Sequence, residues 1–357
     1  MRVAVGRSGE GPLLKAQVQR GYGGADVVAV DDVPDAVAGP GELLIAVRAC
    51  ALNRLDLLQR EAPLVRGFSL PHVAGMDVAG VVAGHGDGVD ASLLPIGTAV
   101  VVDPVSTCGS CRRCVSGKPA YCENLRTVGS TRPGGFAELV AVPASRALRL
   151  PGGLSFVEAA ALPVAYLTGW HALVVAGQVR AGEKVLVNAA GSGVSTAVVQ
   201  FAKQAGAFVV GTIGGRDRFD RAFALGCDAV VDHYAGDVSR AVIAASGGGV
   251  DLVIDHVGTA LFQASIDALD VDGRMVFCGT TTGTEATVSL PSLYHWGRRL
   301  IGAGGWGADE LGDVLRAVDS GGLRPVIDSV WPFAELAAAQ AHMAAGGFFG
   351  KIVVEMS

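Results

Sequence analysis

The sequence predicts an α/β protein in two parts, a β-rich domain and a doubly wound parallel sheet, and two observations carry that expectation. Before about Leu162, short apolar runs stop at Gly and Pro, as in GELLIAVRACAL, DVAGVVAGHG, GTAVVVDPVS and GGFAELVAVP. After it, apolar strands alternate with segments of helical period. EKVLVNAA leads into VSTAVVQFAKQAG and AFVVGTI into RFDRAFALG; then come DAVVDH, DLVIDHVG, ALFQASIDALD, RMVFCGT and RLIGAGG. Six strands with intervening helices imply a parallel sheet covered on both faces. The tail from about Ala308 ends in FGKIVVEMS, a strand that can return to the first domain. The expected domains are residues 1–162 with 308–357, and residues 163–307.

A chain of 357 residues, half of it hydrophobic, has enough apolar material for two cores. Lys and Arg number 28 against 34 Asp and Glu, a net charge of -6 that argues against a nucleic-acid partner. The stretch MRVAVGRSGEGPLLK has neither the apolar core of a secretion signal nor the character of a transit peptide. The longest apolar region, Val157 to Gly177, is interrupted by Glu158, Pro163, Thr168 and His171, so no membrane span is expected. The expected location is the cytoplasm, where clustered cysteines are metal ligands more readily than disulfides.

Between EKVLVNAA and the helix that follows lies Ala190-Gly191-Ser192-Gly193-Val194-Ser195. A strand, a Gly-rich turn and a helix N-terminus together bind a pyrophosphate, through close backbone approach and free N–H groups. Ala190 and Ser195 stand where further glycines are usual, and both are small. At the end of the next strand, where a carboxylate would select NAD by its ribose hydroxyl, Ile213 is followed by Gly-Gly-Arg-Asp-Arg. Arg216 and Arg218 suit a 2'-phosphate, or else form a solvated first helical turn. The expected cofactor is NADPH.

These segments, with LPHVAGMDVAGVV, ALPVAYLTGWHALV and CGSCRRCVSGKPAYC, resemble the medium-chain dehydrogenase/reductase superfamily over almost the whole chain. The resemblance implies a split GroES-like catalytic domain around a Rossmann domain. It also suggests Thr168 near the nicotinamide, Tyr234 at the 2'-phosphate, Cys278 and Gly279 lining the cofactor groove, and Lys351 approaching the cofactor. Cys108, Cys111, Cys114 and Cys122 keep the spacing of the superfamily's structural zinc lobe, and four thiolates would close the shell of one structural Zn. A disulfide-linked loop is the competing reading. Cys50, Cys227 and Cys278 are isolated and read as small buried hydrophobes.

The positions where zinc-dependent members hold a catalytic metal read here as Asn53, Met76 followed by Asp77, and Val164. Met and Val cannot complete a three-ligand zinc site, and Asp77 reads as a hydrogen-bonding partner in a turn. Without that metal, hydride delivery to an activated C=C bond (enone, enal, enoyl thioester) or to a quinone is the expected reaction on a small-molecule substrate. Asn53 is either an amide donor to the developing oxyanion or the N-cap of RLDLLQR. Tyr166 is either a proton donor or a wall of the site, Asp56 a surface or helix-turn residue, and His72 a turn histidine. The alternatives are an alcohol or carbonyl dehydrogenase with another ligand set, a specialised biosynthetic reductase, and a non-catalytic NADPH-binding protein. A homodimer is implied by the resemblance only.

Overall fold

The computed structural model describes residues 13–307 and 309–356, so most of the N-terminal stretch read for targeting signals lies outside the described residues, as do Ala308 and Ser357. The chain forms two compact units, Met1–Val164 with Ile327–Ser357, and Ala165–Val326. No described helix is long and apolar enough to cross a membrane.

The first unit is organised by the strand Glu42–Ala51, which pairs antiparallel with Asp77–His85, Leu139–Pro143 and Lys351–Glu355. Its side chains alternate toward a core in which Leu43, Ile45, Val78, Val100, Phe136 and Ile352 are fully buried. The alternation is the period-two signature of a strand with one face on a core. Gly80 lets the two central strands approach, because a Cβ there would lie 2.2 Å from the Ala46 carbonyl oxygen. Every strand anticipated here is present, and the C-terminal one does return to this sheet, also pairing parallel with Ile327–Pro332.

The returning strand is pinned by a buried ion pair. Lys351 Nζ donates to Asp77 Oδ2 at 2.8 Å, with the two side chains 5% and 0% exposed. Its other N–H bonds reach Leu52 O at 2.6 Å and Asn53 Oδ1 at 2.9 Å.

In the second unit six parallel strands run Ala229–Asp232, Phe208–Ile213, Lys184–Val187, Val250–Asp255, Leu269–Phe277 and Arg299–Gly302 across the sheet. In sequence order this is 3-2-1-4-5-6, the order of a dinucleotide-binding doubly wound sheet. The central strands are nearly continuous in Val, Ile and Leu because both their faces are covered.

The unit extends further than the sequence reading places it. The helix Glu310–Gly321, which that reading assigns to the first domain, buries Leu311, Val314, Leu315 and Val318 in the second unit. His171 ties it down: Nδ1 meets the Glu310 carboxylate at 2.9 Å and Nε2 meets Ala303 O at 2.8 Å. Both ring nitrogens face acceptors, and the carboxylate raises the imidazole pKa above its ordinary value.

Replacing Lys351 by Met should lower stability by about 3–5 kcal/mol, since it leaves the Asp77 carboxylate buried without its counter-charge. In urea unfolding the added substitution Asp77→Asn should recover a large part of that loss; no recovery would show that the pair does not act as a unit.

Candidate functional site

In the second unit the central strand Lys184–Val187 ends in the Gly-rich turn, and the helix Gly193–Gln204 begins from it. Ser192 is the N-cap, with Oγ accepting from Ser195 N at 3.0 Å. The cap satisfies one first-turn amide, while the N–H groups of Gly193 and Val194 have no intrahelical acceptor. Gly191 is buried beneath them. Ser195, one of the departures from the usual glycine pattern, is fully buried and donates its hydroxyl to Asn188 O at 2.6 Å.

His256 closes the other side of this turn, with Nε2 at 2.8 Å from Ser192 Oγ and 2.9 Å from Ser195 Oγ. Burial lowers its pKa, which favours the neutral ring. Gly279 packs on it so closely that a Cβ would lie 2.9 Å from His256 O. The Cys278 amide donates to Asp255 O at 2.8 Å, and burial pushes the thiol up to about 12. The structure thus brings Ser192 of the Gly-rich turn Gly191–Val194 and Gly279 against His256, with Cys278 bonded to the neighbouring Asp255. Sequence reasoning missed that histidine, which sits at a strand end in DLVIDHVG with no motif around it.

At the end of the neighbouring strand, Arg218 donates to Gly214 O, and Tyr234, 81% exposed, lies over the same glycine. A Cβ at Gly214 would come within 2.3 Å of the Tyr234 ring, so only glycine permits this stacking. Arg216 is exposed beside them. Asp217 turns its carboxylate back toward Gly215.

Thr168 is half-buried on the helix Pro163–Trp170. Tyr166, on the same helix, is not a proton donor: it is 1% exposed, packed edge-on against Phe201, and its hydroxyl faces Gln200 Oε1 and Arg324 O. Burial raises its pKa far above the usual phenol range.

The first unit brings Asn53, Asp77 and Val164 to one point. Asp77 begins its strand and is not in a turn; Oδ1 accepts from Val164 N at 2.8 Å, and Oδ2 accepts from Asn53 Nδ2 at 3.0 Å and from Lys351. Asn53 therefore has a fixed amide orientation, oxygen toward the lysine and nitrogen toward the carboxylate. One of its two N–H bonds remains for a further acceptor. Asn53 also stands at the N-cap of Arg54–Glu61, where Asp56 Oδ2 accepts from its backbone N–H at 2.7 Å. Lys351, expected from the resemblance to approach the cofactor, spends all three N–H bonds inside this cluster.

Asp56 departs from the surface reading. It is 1% exposed, its Oδ1 has no partner among the described residues, and burial pushes its carboxyl up to about 7. The same helix also buries Gln59 and Arg60, while Leu58 faces out, so its polar residues do not mark its solvent face. His72 also differs, lying in a short strand at 7% exposure with its ring against Phe68.

Cys108, Cys111, Cys114 and Cys122 place their sulfur atoms within 4.8 Å of one another, the one such group of potential metal ligands among the described residues. All are free thiols. The separations Cys111–Cys114, Cys122–Cys108 and Cys111–Cys122 are 3.5, 3.5 and 3.9 Å. A tetrahedron with Zn–S bonds of 2.3 Å has edges of about 3.8 Å, so this donor set fits Zn²⁺. Backbone N–H groups of Ser110 and Cys111 pull Cys108 down to about 5, while burial and the neighbouring thiols push Cys114 up to about 12. As four thiolates the group would need a cation among them.

Residues 39–152 match the alcohol dehydrogenase GroES-like domain and residues 225–354 match the zinc-binding dehydrogenase domain. The chain is similar to a zinc-type alcohol dehydrogenase-like protein of Schizosaccharomyces pombe, 29% identical over 89% of this chain and 91% of that one. It is also similar to a quinone oxidoreductase of Rattus norvegicus, 27% identical over 93% of this chain and 95% of the relative. A crystal structure of an NAD-dependent alcohol dehydrogenase superposes with a TM-score of 0.91 and 37% identity, covering 96% of this chain and all of that one.

Replacing Cys111 by Ser should lower zinc content and thermal stability together; a stable variant with a full complement of zinc would contradict the closed four-sulfur site. Because the folded protein holds a proton on Asp56 that the unfolded chain releases near pH 4, stability should fall between about pH 4 and about pH 7 on its account. Asp56→Asn should therefore be more stable than the parent at pH 8, by up to about 4 kcal/mol, and gain little at pH 4. Equal effects at both pH values in denaturant titrations would refute the buried, raised carboxyl.

Proposed function

The chain belongs to the medium-chain dehydrogenase/reductase superfamily, and on that premise we propose that it is an NADPH-dependent reductase of activated C=C bonds or quinones that works without a catalytic zinc. The observation that carries this reading is the saturation of Asp77. At the point where Asn53, Asp77 and Val164 meet, both carboxylate oxygens are taken by Val164 N–H, the Asn53 amide and the Lys351 ammonium. The donor set there is one neutralised carboxylate and one amide, which does not fit a three-ligand zinc site.

Alcohol oxidation depends on removing a hydroxyl proton, and zinc does so by lowering the oxygen's pKa. An enone, enal, enoyl thioester or quinone needs less help, because its own conjugation carries the developing charge to oxygen. When bound, the reduced nicotinamide supplies the hydride. The protein's part is to hold the reactants and to present a donor to that oxygen. The uncommitted N–H of Asn53 suits this role, with its amide polarised by the Lys351 cation on Oδ1. Solvent water supplies the proton, since Tyr166 is sealed in the core.

In the second unit, the amides of Gly193 and Val194 with Ser192 would hold the diphosphate, and Arg216, Arg218 and Tyr234 the 2'-phosphate. Zn²⁺ in the four-cysteine lobe would hold its loop and leave no open position for substrate. A second reading, alcohol oxidation with NAD, is favoured by the likeness to the NAD-dependent alcohol dehydrogenase.

Metal analysis should find one zinc per chain, and NADPH should be oxidised with at least one member of a panel of enones, enals and quinones, extended to larger acceptors. Two zinc ions with alcohol-dependent reduction of NAD would establish the second reading instead. The double substitution Arg216→Ala and Arg218→Ala should weaken NADPH about tenfold or more and leave NADH within about twofold; equal losses would remove the arginines from the 2'-phosphate site.

A further inference from the structure

Resting on the reading that the Gly-rich turn holds a dinucleotide's diphosphate, we propose that His256 is a positioning residue that turns the Ser192 hydroxyl proton outward as a donor to that diphosphate. Three neighbouring atoms, Ser195 Oγ, His256 Nε2 and Ser192 Oγ, share a fixed set of hydrogens. Ser195 Oγ lies 2.6 Å from Asn188 O, a carbonyl that can only accept, so the Ser195 proton is committed there. The same Ser195 oxygen faces His256 Nε2 at 2.9 Å. A bare ring nitrogen at that distance would set two lone pairs against each other, so Nε2 carries the hydrogen.

That N–H lies between two oxygens, Ser195 Oγ and Ser192 Oγ at 2.8 Å. Ser192 Oγ meanwhile accepts from Ser195 N at 3.0 Å. With both of its lone pairs engaged, the Ser192 hydroxyl has one remaining direction for its own proton, away from the ring and the helix amide. Were the ring hydrogen on Nδ1 instead, Ser192 would point its proton at Nε2 and present a lone pair to an incoming phosphate. The position of one imidazole hydrogen thus decides whether the N-cap attracts or repels an anion.

The ring is held to this task from behind. Gly279 closes on its backbone, and the next residues are fixed by Asp255, whose carboxylate accepts from Val257 N at 3.2 Å and Gly258 N at 3.0 Å. Burial keeps the imidazole neutral, so its effect on the phosphate comes through hydrogen-bond direction and not through charge.

Nitrogen-15 NMR of the histidine-labelled protein should show His256 as the neutral Nε2–H tautomer, and binding of two probes should separate its role from general stability. For His256→Phe, ADP-ribose should bind about tenfold more weakly, while adenosine 2',5'-bisphosphate, which has no bridging diphosphate, should stay within about twofold. His256→Gln, which keeps an N–H donor, should restore ADP-ribose to within about threefold of the parent. Ser192→Ala should reproduce the His256→Phe loss, and the two together should be no worse than Ser192→Ala alone. An Nδ1–H tautomer, additive losses, or equal weakening of both probes would overturn the proposal while leaving the cofactor site standing. If the parent protein binds neither probe nor either nicotinamide nucleotide, the cofactor reading fails and this inference with it.

Discussion

The buried pair of Asp77 and Lys351 is the constraint on which the first unit depends. Removing two charges from water costs several kcal/mol each, and attraction offsets this only when the remaining lone pairs and protons are also matched. Here they are matched in full, by Leu52 O, Asn53 Oδ1 and Nδ2, and Val164 N. To satisfy them, the residues just past the strand Glu42–Ala51, the start of Asp77–His85, the start of Lys351–Glu355 and Val164 in the first turn of Pro163–Trp170 must arrive at one point. Asn53, the donor proposed for the substrate oxygen, is oriented as a by-product of that electrostatic requirement.

The second unit uses the same logic with a different carboxylate. Asn188 donates to Asp255 and to Ser265 Oγ, each at 2.8 Å, and Asp255 also accepts from the two amides that follow His256. Buried polar groups of this kind rigidify what they hold when every member is satisfied. Beneath the Gly-rich turn they fix the carbonyl that takes the Ser195 proton and the backbone that carries His256. The helix end proposed to hold the diphosphate is therefore shaped by side chains that lie behind it.

The sequence is most legible where chemistry requires residues close together in the chain. Cys108 to Cys122 and Gly191 to Gly193 declare themselves by spacing, and the six strands by their Val-rich runs. The departures all arise from contacts between distant segments. Asp56 sits in a charged helix and looks solvated; its burial follows from the packing of residues that no local pattern links to it. Tyr166 is near Thr168 in sequence, yet its hydroxyl is claimed by Gln200 and Arg324. Resemblance singles out Lys351, but its three partners are fixed by a fold that joins residues 299 positions apart. The helix Glu310–Gly321 belongs to the second unit and not to the first, because a domain boundary is set by which core an apolar stripe enters, and that stripe reads the same for either.

The return of Lys351–Glu355 to the sheet begun by Glu42–Ala51 also bears on how the molecule is made. All of Ala165–Val326 leaves the ribosome before the strand that completes the earlier unit. The nascent chain can thus finish its parallel sheet while the first sheet still presents an open edge and Asp77 lacks its counter-ion. An unpaired edge of that kind is a template for association with other chains. Synthesis of Lys351–Glu355 delivers both the missing strand and the missing charge, so a chain cut short before Lys351 is the form most exposed to aggregation and to proteolysis.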